Sequence, residues 1–118
     1  WGYVMSKLDA AASFTYQNTG VCFFGHTHVP LAFMRDQNTV IGGKYDSLEV
    51  EKGKKYFINV GSVGQPRDGD SRAAYVIYDL KAGTIELRRL EYDFEKTQAK
   101  IQEAGLPERL ANRLALGK

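Results

Sequence analysis

Both histidines of this 118-residue chain, His26 and His28, stand two positions apart in the stretch VCFFGHTHVP. Imidazole is the commonest protein ligand for transition metals and a frequent general base. Two readings of such a pair stand side by side: core histidines satisfied by hydrogen bonds, or paired metal ligands. The context favours ligands. An apolar run, Val21–Phe24, leads in, and the ends of buried strands place side chains over crevices. Gly25 carries no Cβ, so backbone or ligand can approach closely. Thr27 can hydrogen-bond the loop and hold its shape, and Pro30 fixes the exit direction. Metalloprotease ligands on a helix sit at i and i+4, whereas an i, i+2 pair in extended chain points two ways. Curled in a loop, the pair can address two neighbouring sites. Two metals about 3.5–4 Å apart form the clamp used for displacement at phosphorus, so G-H-T-H suggests a binuclear metal site.

The elements that must position this loop follow from periodicity and turn chemistry. Trp1 to about Gln17 reads as a helix, with Trp1, Val4, Met5, Leu8 and Ala11 or Ala12 at helical spacing. Asn18–Gly20 ends it, with Gly20 as a left-handed stop. Val21–Phe24 is apolar on both faces and belongs in the middle of a covered sheet. Leu31–Arg35 is a strand, Asp36–Asn38 a turn, and Thr39–Ile41 a hairpin partner. Gly42 and Gly43 break the chain. Tyr45–Val50 and Lys55–Val60 read as strands around Lys52–Gly53. Gly61–Ser71 is a long loop. Ala73–Leu80 and Thr84–Tyr92 form a hairpin across KAG, and the apolar side switches between Leu87 and Leu90, which predicts a bulge near Arg88. Phe94–Ala104 is a helix stopped by Gly105, and Pro107 opens a last one. The fold class is mixed α/β and strand-rich: a helix, about six strands, then two helices.

Bulk properties set the class. Domains commonly run about 100–150 residues, so residues 1–118 read as one unit. Sixteen basic and fourteen acidic residues nearly balance, which gives no nucleic-acid or membrane signature. The clusters Lys52, Lys54, Lys55 and Arg88, Arg89 read as solvated strand edges. A single cysteine, Cys22, excludes an internal disulfide framework and reads as a buried small hydrophobe. No apolar run approaches the ~20 residues that span a bilayer, and no signal pattern opens the chain. The expected location is cytoplasmic.

FFGHTHVP, followed downstream by FINVGSVGQPRDGD and AAYVIYDL, resembles the C-terminal part of the calcineurin-like metallophosphoesterases. The likeness is closest to their small bacterial and archaeal branch and runs from about Val21 to Tyr92. It implies the C-terminal portion of a four-layer αββα sandwich and a phosphatase or phosphodiesterase activity. It implies that His26 binds one metal and His28 the other, the metals being manganese, iron, zinc or nickel. In the family these ions hold a hydroxide for in-line attack on a phosphate ester. Gly25, Thr27, Asn59, Gly61 and Ser62 are implied as supports of the site. Arg67 is a candidate contact for a substrate phosphate, with a structural salt bridge as the other reading.

The chain departs from the family in what precedes these motifs. D-x-H, G-D-x-x-D and G-N-H-D or G-N-H-E, which supply the other ligands and the acid, do not occur in it. Asp68–Asp70 reads as a turn. Two imidazoles do not fill the coordination of two metals, and no catalytic residue is assigned. Residues 1–118 are therefore expected to be a partial domain, the C-terminal segment of a longer hydrolase and inactive alone. The expected partners are the N-terminal part of the same protein or a homodimer mate, because Val21–Phe24 would otherwise lack parallel neighbours and expose its apolar faces. The alternative is a noncatalytic metallophosphoesterase-like scaffold that binds proteins, which has no need of both histidines. A mononuclear structural site would need ligands that no nearby residue supplies.

Overall fold

A computed structural model describes residues 6–15 and 17–118, apart from the side chain of Leu8. Residues 1–5 and 16 of the expected first helix lie outside these. Helix α1 spans Lys7–Phe14. Ser6 caps it, its Oγ accepting from the Asp9 N–H at 3.2 Å, and the acidic Asp9 suits the positive end of the helix dipole. The helix stops at Thr15 in right-handed geometry, and Gly20 is not left-handed. The connection is held instead by buried Gln17, whose Nε2 donates to Thr19 O and Tyr56 O, each at 2.9 Å.

Seven strands follow: β1 (Val21–Phe24), β2 (Leu31–Asp36), β3 (Thr39–Gly43), β4 (Ser47–Glu49), β5 (Lys55–Asn59), β6 (Ala73–Asp79) and β7 (Thr84–Leu90). They form two sheets, ordered β1-β5-β2-β3 and β4-β7-β6. β1 has a parallel neighbour, β5, with Val21 opposite Tyr56 and Phe24 opposite Asn59. Among the described residues β1 is nonetheless an edge strand rather than a central one. Phe23 is 41% exposed, and Cys22 is half-buried rather than buried.

Two further expectations change, at Gly42–Gly43 and at Arg88. Gly42 and Gly43 continue β3 instead of breaking it, because the Phe33 ring lies where a Cβ on Gly42 would sit. The strands expected on either side of Lys52–Gly53 both form, in different sheets: β4 pairs with β7 and β5 with β1 and β2. The Tyr56 hydroxyl ties that crossing by accepting from Glu51 N–H at 3.0 Å and donating to Glu49 O at 3.1 Å. The β6–β7 ladder runs unbroken from Ala73–Leu90 to Asp79–Thr84, so there is no bulge. The apolar alternation fails there because Arg89 turns inward to Asp68 while Leu90 faces out, 60% exposed.

The core has two parts. Ala32, Tyr45, Tyr56, Ile58 and Ile85 fill the space between the sheets. Ala10 and Phe14 of α1 pack on Phe33 on the other face of the first sheet. The resulting helix–sheet–sheet stack agrees with the expected mixed α/β sandwich. Helices α2 (Phe94–Glu103) and α3 (Glu108–Leu116) pack on each other, joined by Gln98 Nε2 donating to Ala111 O at 2.8 Å. Tyr75 and Ile77 on the outer face of the second sheet remain exposed. Among the described residues no helix is long and apolar enough to cross a membrane.

The basic clusters are more engaged than solvated edges. Lys54 pairs with Glu51 and lies 3.9 Å from Asp36, and Lys55 Nζ donates to Gln17 O. Only Arg88 of the second cluster stays outside, pairing with exposed Glu86 at 3.2 Å.

Candidate metal centre

The G-H-T-H loop begins where β1 ends and carries unusual backbone geometry. His26 has φ +76° and His28 φ +63°, the left-handed region that few side-chain-bearing residues adopt. The Thr27 N–H reaches back to Gly25 O at 3.0 Å. A three-residue turn with a central φ near +75° is the rare, strained γ-turn. Each such residue costs of order 1–3 kcal/mol and persists only where its surroundings over-determine it.

Asn59 supplies that determination. The parallel register sets it beside Phe24, and it is fully buried. Its Nδ2 donates to Thr27 Oγ1 at 2.8 Å and more weakly to Gly25 O at 3.4 Å. Its Oδ1 accepts from Gly61 N–H at 2.9 Å. Its own carbonyl accepts from the Tyr45 hydroxyl at 2.9 Å. Burial raises the Tyr45 hydroxyl well above the ordinary tyrosine range, against an opposing effect of the Arg89 charge, so it stays a neutral donor. One side chain thus joins the histidine loop to the Gly61–Ser71 loop.

His28 is gripped twice. Its Nδ1 lies 2.9 Å from Gln65 O, and its carbonyl accepts from Arg67 N–H at 3.2 Å. A carbonyl only accepts, so in the neutral ring the proton sits on Nδ1 and the lone pair on Nε2. This is the arrangement that outer partners impose on metal-ligating histidines. His26 is exposed on the same turn. The imidazole donors fit zinc, manganese, iron or nickel chemistry. Among the described residues no three His, Cys, Asp or Glu side chains group closely enough to hold an ion. A cavity of about 370 Å³, lined by Met34, Ile41, Leu48 and Tyr56, lies between the sheets and includes neither histidine.

The other expected supports act through the loops. Gly61 has φ +79°, and a Cβ there would press on Ala74 at 2.9 Å and Pro30 at 3.3 Å. Ser62 folds its own loop: Oγ accepts from Gln65 N–H and its carbonyl from Ala74 N–H, both at 2.9 Å. Arg67 is exposed and donates to Gln65 Oε1 at 3.0 Å. Among the described residues it has no carboxylate at ion-pair distance. Gln65, Tyr45 and the Asp68–Arg89 pair carry the loop geometry without having stood out in the sequence. The broken alternation at Arg89 was the visible sign of that pair.

The calcineurin-like phosphoesterase superfamily domain matches residues 2–83, and the chain belongs to that superfamily. A metallophosphoesterase from Sphaerobacter thermophilus, known from a crystal structure, is 44% identical and superposes with a TM-score of 0.92 over 100% of this chain and 51% of that one. Uncharacterized protein MJ0912 of Methanocaldococcus jannaschii is 45% identical over 97 residues, 81% of this chain and 39% of its own length. The chain therefore spans about half, or less, of the relatives it matches.

Proposed function

We propose that the protein is a metal-dependent phosphoester hydrolase in which His26 and His28 each give a ring nitrogen to one of two neighbouring metal ions. The observation that carries this reading is the His28 ring, turned by Gln65 O so that Nε2 holds the lone pair. Membership of the phosphoesterase superfamily supports it. Such a metal pair, when bound, supplies Lewis acidity at phosphorus and lowers the pKa of water toward neutrality. This chain's residues hold and orient. Asn59 and Thr27 keep the two left-handed histidines in place, and Gly25 leaves room beside them. Arg67, exposed on the loop that grips His28, is proposed to meet a phosphate oxygen of the substrate with its guanidinium. The remaining ligands are proposed to come from the rest of the protein.

The test uses the full-length protein with manganese and a chromogenic phosphodiester. His26→Ala and His28→Ala are each expected to lower turnover by orders of magnitude and to reduce bound metal while the fold persists. Wild-type rate and metal content in either variant would refute the ligand assignment. Residues 1–118 alone are expected to show no turnover above a His26→Ala control.

A further inference from the structure

Arg89 lies beyond residues 2–83 that the superfamily domain matches, yet it fastens the loop that grips His28. In the unbroken β6–β7 ladder it faces Ala74. That alternation turns its side chain inward, where it is 15% exposed. Its Nη1 donates to Asp68 Oδ1 at 3.3 Å, its Nη2 donates to Asp68 Oδ2, and its Nε lies 3.9 Å from Asp70 Oδ2. Asp68 is 14% exposed, so the fork is largely shielded from water and directional.

Asp68 directly follows Arg67, whose N–H donates to His28 O. Three residues before Asp68 is Gln65, whose carbonyl accepts from His28 Nδ1. No helix or strand holds this segment. Its position is set by the Asn59 and Ser62 bonds at the start, by buried Pro66 and a weak bond from the Tyr92 hydroxyl to Gly64 O beside Gln65, and by Arg89 further along. Next to the fork, Gly69 N–H donates to Gly117 O at 2.9 Å, which adds the end of α3 to the same anchorage. We propose that Arg89 is a positioning residue for the metal centre: by holding Asp68 it places the Gln65 carbonyl that sets the tautomer and ring plane of His28. This rests on the reading of His28 as a ligand.

The experiment uses the full-length protein with labelled histidine nitrogens. In the metal-free state, ring nitrogen spectra report where the His28 proton resides, the signal being identified with His28→Gln. The wild type is expected to show His28 as the Nδ1–H tautomer alone. Arg89→Met is expected to give a mixture of tautomers and to weaken manganese binding by about tenfold, the lower range for loss of an outer partner. Asp68→Asn, which keeps the shape and removes the charge, is expected to move both readouts in the same direction. Arg89→Lys, with a charge but no fork, should restore part of the change. Arg88→Met, which removes the exposed Glu86 pair and a hydrogen bond with the Tyr75 side chain on the outer face, is expected to leave both unchanged.

A folded Arg89→Met with lowered Tm but wild-type ring signals and manganese affinity would overturn the proposal and leave Arg89 a stabilising residue only. If that variant does not fold, Asp68→Asn and Arg89→Lys decide by the same criterion. Unchanged manganese affinity in His28→Gln would instead remove the ligand reading, while the metal-free spectra would still judge Arg89.

Discussion

Removing the Asn59 side chain is expected to loosen the histidine loop and the whole fold together. In Asn59→Ala the Gly61 N–H loses its acceptor at 2.9 Å and Thr27 Oγ1 its donor at 2.8 Å. Asn59 and Thr27 are buried and the Gly61 N–H is partly so, so water does not replace the lost bonds freely. An orphaned buried polar group costs about 1–3 kcal/mol, which puts the pair near 3 kcal/mol. In a protein of roughly 150–250 residues each kcal/mol lowers Tm by about 2–4 °C, so the full-length variant should melt about 6–12 °C lower. The left-handed backbone at His26 and His28 would lose what holds it, and metal affinity should fall by about 10–100-fold. Calorimetry on metal-free protein separates the first effect from the second, which metal analysis reads. A double-mutant cycle with Thr27→Val should return a coupling of about 1 kcal/mol, as expected for directly bonded side chains. A Tm within about 2 °C of wild type with metal content intact, or zero coupling, would refute the clamp.

Other outcomes follow from the same geometry. Arg67→Met is expected to raise KM for a phosphodiester more than it lowers kcat, and an unchanged KM would discard the substrate contact. The Arg72 side chain bonds Asp70 and holds its carboxyl down to about 2 from an ordinary 3.8. Because the folded-state value is the lower one, this stabilisation is present above about pH 4 and is lost as pH falls through about 2. The gap corresponds to at most about 2 kcal/mol, and screening of this 30% exposed carboxylate reduces it to about 1 kcal/mol. Asp70→Asn should flatten the stability profile in that window, and an unaltered acid limb would contradict the assignment. Residues 1–118 alone, with Phe23 and one edge of β1 exposed, are expected to self-associate or to bind the rest of the protein. Light scattering that shows a clean 13.2 kDa monomer would count against this.

Much of this architecture is legible without coordinates, where the signals are local. The β2–β3 hairpin follows from Asp36–Asn38 between apolar runs, and the β6–β7 hairpin from Lys81–Gly83. Val21–Phe24 before G-H-T-H marks both a strand and the place of the candidate site. Each depends on residues close in sequence, whose periodicity and turn chemistry are set by their own side chains. Tertiary structure decided what depends on distant partners. β4 and β5 separate into different sheets because their ladders lie with β7 and β2, and Gly42 stays in a strand because Phe33 lies over it. Arg89 breaks an apolar pattern without a bulge because a largely shielded carboxylate from the loop awaits it. The partner that orients His28 is the main-chain oxygen of Gln65. Every residue carries such an oxygen, so no choice of amino acid announces it, and only the path of the folded chain brings it to the ring.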